Sequence, residues 1–268
     1  MLKQAGWNNL KNILCIRLDN LGDVLMTTPA IRALKEQMPG RRITLLSSRA
    51  GSTIARYVRE IDDIIVFDTP WEKNPDPAAR HFAHNLVEQL KQRNFDAAVI
   101  FTVYSQNPLP AAMLCYLAGI PRVAGYCREN PYGLITHWIP DEEPVYEIKH
   151  EVTRQMDLVK FLGMEAHDDS LSLSVPENTI LDTMNRLLKT GIDPDKKWVI
   201  IHPGVSEAKR QYPVELFAEA AKTILEDEDM QILLTGTEAE KELTEHIQQT
   251  VGPGVFNLAG MLSIGELC

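Results

Sequence analysis

Three short segments of the 268-residue chain place charged or hydroxyl-bearing side chains beside glycine, directly after an apolar run. In open parallel α/β sheets that position, the carboxyl end of a strand, is where ligands bind. The first segment is Arg17-Leu18-Asp19-Asn20-Leu21-Gly22-Asp23-Val24. Gly22 permits a close or left-handed turn, and Asp23 sits at the opening of a helix, at a strand-to-helix crossing that faces a cleft. Pro29 allows the regular helix to start only at Thr28, with Asp23 in a preceding turn. Spacing alone is better served by Asp23 as a helix cap than as a functional acid.

The second segment is His202-Pro203-Gly204-Val205-Ser206-Glu207-Ala208-Lys209-Arg210. Gly204 lets backbone amides approach a ligand, Ser206 can hydrogen-bond a phosphate, and Lys209 and Arg210 bring fixed positive charge. A helix amino end adds partial positive charge, so the set suits a diphosphate. An ordinary Pro-Gly turn carrying solvated basic residues accounts for the same residues. The third segment is Gly236-Thr237-Glu238. Glu238 can accept hydrogen bonds from ribose hydroxyls, or simply open a helix, where the dipole favours it.

Other candidates carry less. The first loop lacks G-x-G-x-x-G, which argues against a dehydrogenase. His81 and His84 lie three apart on a helix with no third ligand, so a solvated face explains them better than a metal site. Of Arg41, Arg42, Arg49, Arg56 and Arg59, only Arg49, just past a strand end, is placed to face a cleft and meet an anionic acceptor; the others read as surface charges.

Short apolar runs alternate with helix-length amphipathic stretches. Strands are expected at 13–16, 43–46, 64–67 and 97–101, with helices between them and another over 146–162; between Pro131 and Pro144 the pattern weakens. Runs that are apolar throughout suit parallel strands covered on both faces. The rhythm restarts with strands at 198–201, 232–234 and 255–256 and helices over 214–225 and 238–250. This predicts two Rossmann-like α/β domains, 1–176 and 177–268, facing one another across a cleft. Ser263-Ile264-Gly265-Glu266 has the S-x-x-E capping-box spacing two residues before the last residue. A helix that short does not repay its nucleation, so the second domain is expected to be incomplete.

The net charge is −10 with a sequence pI near 5.2, against a nucleic-acid partner. The four cysteines form no C-x-x-C pair, and Cys15 lies in an apolar run as a buried reduced thiol would. No signal-peptide pattern or ~20-residue apolar span is present, which fits a cytoplasmic location.

Taken in order, these segments resemble glycosyltransferase family 9, the heptosyltransferase-like family. Its opening is similar to Arg17 through Leu25 with Thr28-Pro29, and its donor signature to His202-Pro203-Gly204 followed by Lys209-Arg210 and Pro213. Asn257-Leu258-Ala259-Gly260 and the residues from Ser263 to Leu267 match the stretch beyond. The resemblance implies a GT-B fold, with acceptor on the first domain near Asn20, Gly22 and Arg49, and nucleotide-sugar donor on the second. It implies an inverting transferase that uses a nucleotide diphosphate sugar, ADP-heptose in the best-known members, on a lipopolysaccharide-type or other glycan acceptor.

Asp23 would be the general base. Gly204, Ser206, Lys209 and Arg210 would hold the diphosphate, and Gly236, Thr237 and Glu238 the nucleoside. No tightly bound cofactor or metal is implied, and membrane contact would be peripheral, at the inner face. Departures are Gln211-Tyr212-Pro213 in place of Trp-Pro and no D-T-G-P-x-H segment. The alternatives are a non-catalytic nucleotide-binding or interaction module left by truncation, and a GT-B-like nucleotide-sugar epimerase that needs no acceptor.

Overall fold

The four expected apolar runs of the first 174 residues become β1 (Asn12–Arg17), β2 (Arg42–Ser47), β3 (Asp63–Val66) and β4 (Ala97–Ile100), and two strands that the pattern did not mark follow, β5 (Val123–Cys127) and β6 (His137–Pro140). The computed structural model describes residues 6–71, 79–165, 167–227 and 230–268, with backbone only for 79–83 and 227. All six strands are parallel, in the order β3-β2-β1-β4-β5-β6. Neighbours β1 and β4 are joined through strands on one side only, so the winding reverses between them. A crevice opens at such a switch point, outside the carboxyl ends of the two strands. The Arg17–Asp23 segment is therefore delivered to that crevice by topology.

The helices of this unit are α1 (Leu21–Glu36), α2 (Arg49–Ala55), α3 (Ala79–Gln92), α4 (Leu109–Leu117) and α5 (Glu151–Phe161). One face of the sheet packs Leu14, Ile16, Ile65, Phe67 and Ile100 against Leu86, Leu90 and Leu114. Helix α1 packs against α5 and α2. The helix starts at Leu21, not at Thr28. Pro29 lacks the N–H that would reach the Leu25 carbonyl, and the Thr28 hydroxyl donates to that carbonyl instead, at 2.7 Å. A neighbouring side chain thus repairs the ladder, and the helix runs through the proline.

Arg41 corrects the expectation of a surface charge. It is fully buried, and its guanidinium donates to the carbonyls of Leu10 (2.8 Å), Leu34 (2.6 Å), Trp7 (2.8 Å) and Asn8 (3.1 Å). These acceptors lie in loop backbone and at a helix end, outside any strand ladder.

The chain divides into two compact units, Met1–Ser174 and Val175–Cys268. The second holds α6 (Glu177–Lys189), β7 (Lys197–Ile201), α7 (Val214–Asp227), β8 (Met230–Leu234), α8 (Lys241–Val251), β9 (Val255–Asn257) and α9 (Ile264–Leu267). Its parallel sheet has the order β7-β8-β9. Ala218, Ala221, Ile232, Leu234, Ile247 and Val255 form one core layer, and Leu187, Ile192, Leu233 and Leu258 another. Strand β7 is not covered on both faces as its apolar run suggests. It lies at the sheet edge, and Ile200 is 52% exposed. The Ser263–Glu266 capping box forms with both arms.

Candidate functional site

In the first unit the site is built around Arg17, the last residue of β1. Its side chain is fully buried, a position that costs several kcal/mol for an unpaired ion. Three carboxylates answer it: Nε meets Asp19 Oδ2 at 2.8 Å, and Nη2 meets Asp23 Oδ1 at 3.2 Å and Glu151 Oε1 at 2.9 Å. Gln155, one turn along α5, donates to Glu151 Oε1 (2.6 Å) and to the Thr102 carbonyl (3.0 Å). Gln106 donates to Asp19 Oδ1. Burial pushes the Asp19 carboxyl above the ordinary aspartate value, with Arg17 and then the Gln106 amide opposing it.

Asp23 stands in the first turn of α1 and is a quarter exposed. Asn20, with extended backbone, occupies the N-cap position, so Asp23 is not the cap. Among the described residues, the partner of the Asp23 carboxylate is Arg17. One oxygen is held, and the group keeps access to solvent. Gly22 also differs from expectation. It takes helical backbone rather than a left-handed turn, because the helix begins one residue earlier, and the space beside its Cα is open.

Arg49 opens α2, whose cap is Ser48, accepting from the Gly51 amide at 2.9 Å. Asp68 receives the Arg49 amide (2.9 Å) and its Nε (3.2 Å), so this arginine is paired, though its side chain is 81% exposed. Asp19, Asn20, Arg49 and Asp68 border a cavity of about 520 Å³. Gly51 has a packing reason: a Cβ there would lie 3.0 Å from the Asp19 carbonyl and 2.3 Å from Ser47 Oγ.

In the second unit three loops follow the carboxyl ends of β7, β8 and β9. His202 Nδ1 lies 3.1 Å from Thr235 Oγ1, and Gln211 donates to the Pro203 carbonyl at 2.9 Å. Ser206 is exposed. Lys209 and Arg210 sit on a single 3-10 turn, Ala208–Arg210, both exposed, with Lys209 Nζ 2.7 Å from Glu207 Oε2. Gly236 and Thr237 lead into a second 3-10 turn, Glu238–Glu240.

Here the structure adds a residue that the sequence reading lacked. Glu240 closes a capping box on Thr237, accepting its amide at 2.6 Å and its hydroxyl at 2.9 Å. The Thr237 amide, more than any other neighbour, holds the Glu240 carboxyl below the ordinary glutamate value. The T-x-x-E spacing that signals this box is the rule that identifies Ser263–Glu266. Glu240 also fills the space a Cβ at Gly204 would need, 1.9 Å from its Oε1. Gly260, at φ +71°, leaves room for Glu238, whose Oε2 would lie 2.0 Å from a Cβ there. With the cap supplied by Glu240, Glu238 remains exposed, 3.6 Å from Lys241 Nζ.

Among the described residues no group of three His, Cys, Asp or Glu is arranged to hold a metal ion. The side chain of His81 lies outside the described residues, and His84 is exposed. Cys15, Cys115 and Cys127 are buried, and burial pushes Cys15 up to about 12.

The sequence matches the family model described as glycosyltransferase family 9 (heptosyltransferase) over residues 83–268. A provisionally named glycosyltransferase of Haemophilus influenzae is 24% identical over 239 residues, 87% of this chain and 66% of that protein. The chain thus spans just under two thirds of that relative's length. The crystal structure of the glycosyl transferase family 9 protein of Veillonella parvula superposes with a TM-score of 0.79 at 19% identity, covering 99% of this chain and 73% of that one. Escherichia coli ADP-heptose lipopolysaccharide heptosyltransferase II gives 0.71 at 20% identity, over 96% and 75% of the two chains. The E. coli heptosyltransferase WaaC, solved with ADP, gives 0.67 at 18% identity, over 95% and 77%.

Proposed function

Since the chain belongs to glycosyltransferase family 9, we propose that it transfers a sugar from a nucleotide diphosphate sugar to a glycan acceptor, with inversion at the anomeric carbon. The observation that carries this reading is the position of Asp23. It stands at the carboxyl end of the switch-point strand, with one oxygen held by a buried arginine and the carboxylate open to solvent. A positioned base of this kind contributes ~10²–10⁴ in rate.

In the proposed reaction an acceptor hydroxyl gives its proton to Asp23 as its oxygen bonds to the anomeric carbon. The bond from that carbon to the phosphate oxygen breaks, and the electron pair leaves with the nucleoside diphosphate. Lys209 and Arg210 meet the developing charge, with Ser206 and the backbone at Gly204 as hydrogen donors. For this Lys209 exchanges Glu207 for phosphate. Glu238 takes the ribose hydroxyls beside Gly236 and Thr237. Side-chain cations fill the role a metal would have, so chelators are expected to leave turnover unchanged.

The E. coli structures named for ADP-heptose and solved with ADP favour ADP-heptose as donor, and a lipopolysaccharide-type acceptor follows from the same likeness. Among the described residues no helix is long and apolar enough to cross a membrane. A cytoplasmic enzyme touching a lipid-linked acceptor peripherally is part of the same proposal.

The test is a thermal-shift titration with ADP, UDP and GDP on the wild-type chain and on a Lys209→Ala/Glu238→Ala variant. A ligand at a hundred times its Kd stabilises by ~2.7 kcal/mol. ADP is expected to raise Tm selectively, and the variant to lose the shift. No response to any nucleotide, or an ADP shift unchanged in the variant, would overturn the assignment.

A further inference from the structure

A second cavity in the first unit, about 370 Å³, opens between the carboxyl ends of β1 and β4 and the start of α4. Its size falls in the range of small-molecule sites. Leu18, Phe101 and Trp71 give it an apolar side; Asp19, Gln106 and Asn107 give it polar groups. From these residues we infer that the cavity is a subsite for an uncharged sugar ring, the acceptor residue, with Trp71 as its stacking platform. The acceptor role rests on the transferase reading; ring binding does not.

A pyranose has an apolar C–H face and an edge of hydroxyls, each both donor and acceptor. An indole offers a broad apolar surface to the face, and Trp71 is 43% exposed, tilted at 58° against Phe67 with centroids 5.8 Å apart. Carboxylate and amide groups satisfy the edge. Gln106 is fixed at both ends, its amide donating to Asp19 and its Oε1 accepting the Val103 amide at 3.1 Å. Asn107 is anchored likewise, accepting the Leu109 amide at 2.9 Å and donating to Glu129 at 3.3 Å. The polar edge is thus preorganised by the loop after β4.

Charge selects against an acidic ring. Arg17 is buried and shared among Asp19, Asp23 and Glu151. In the adjoining cavity Arg49 is paired with Asp68. Among these residues four carboxylates face two guanidinium groups. An acidic sugar would enter against this excess with no uncommitted cation of the set to meet it, whereas a neutral hydroxyl donates to Asp19.

Saturation-transfer NMR on the full chain tests this, using methyl glycosides of mannose, glucose and galactose against the methyl glycoside of galacturonic acid, all at millimolar concentration. At least one neutral glycoside is expected to bind and the uronate not to. Trp71→Ala should weaken the neutral ligand tenfold or more, and Trp71→Phe should restore most of it at unchanged Tm. The inference is overturned if the uronate binds equally well, if no neutral glycoside binds, or if Trp71→Ala leaves binding intact. Failure of the transferase reading would show separately, as intact ring binding in a chain that gives no acceptor-dependent turnover of a nucleotide sugar.

Discussion

Replacing Arg17 by methionine removes the guanidinium and keeps most of the buried stem. It leaves Asp19, Asp23 and Glu151, whose side chains are 12%, 25% and 15% exposed, facing one another without their shared cation. Removing one partner of a buried ion pair costs ~3–5 kcal/mol. Because each carboxylate here keeps some water, the lower end, about 3 kcal/mol, is the expected loss at pH 7. That is a large part of the ~5–15 kcal/mol that holds a typical domain.

The pH dependence has a definite sign. Burial already holds Asp19 above its ordinary value of 3.8, with Arg17 opposing. In Arg17→Met that opposition is gone. A carboxyl raised in the folded state costs stability above its folded value and ceases to cost as pH falls toward the unfolded one. The deficit should therefore be full at neutral pH and narrow on acidification toward 3.8.

Urea unfolding followed by tryptophan fluorescence reads this directly. In a Trp198→Phe background, the remaining Trp7, Trp71 and Trp138 all lie in the first unit. The parallel variant Asp23→Asn should cost less than ~1 kcal/mol, since the guanidinium keeps two charged partners and a neutral hydrogen bond. A loss below ~1 kcal/mol for Arg17→Met, or a loss that does not narrow between pH 7 and the ordinary aspartate value of 3.8, would refute the three-carboxylate arrangement.

Two further outcomes follow from the second unit. Gly260→Ala places a side chain at φ +71°, a cost of ~1–2 kcal/mol, and displaces Glu238; calorimetry should show a lower Tm, and the ADP shift should weaken with it. Glu240→Ala removes one arm of the capping box, worth ~1 kcal/mol. Because the wild-type carboxyl is held low, its contribution is present above its ordinary value of 4.5 and fades as pH falls through the depressed one. The two proteins should therefore converge in Tm below that range.

The place of Asp23, just past a strand's carboxyl end, was legible in sequence, because an acid beside glycine follows an apolar run there. Its role as a cap was the simpler reading only while the helix start was in doubt, and the Thr28 hydroxyl that carries α1 past Pro29 settles that start. Arg17 could be quoted but not explained. Its burial depends on Glu151, which is far away in sequence and arrives only when α5 packs on α1. An arginine closing an apolar strand with acids two and six residues later is the one local hint.

Arg41 misled for a related reason. Beside Gly40 and Arg42 it looks like a solvated basic pair, yet its partners are loop carbonyls that no periodicity reveals. Glu240 was within reach, since the T-x-x-E rule needs no structure. Strand β5 was harder. Gly125 interrupts it because a Cβ there would lie 3.3 Å from the Ile100 carbonyl on β4, a constraint visible only once the strands are paired. Trp71, Gln106 and Asn107 sit in loops whose convergence is set by strand order, not by local pattern.

The most direct test of the central claim is turnover by a folded Asp23→Asn protein, measured as acceptor-dependent release of ADP from ADP-heptose alongside ADP affinity. A ~10²–10⁴-fold fall in turnover is expected, with ADP binding unchanged. Full turnover by that variant would contradict that claim.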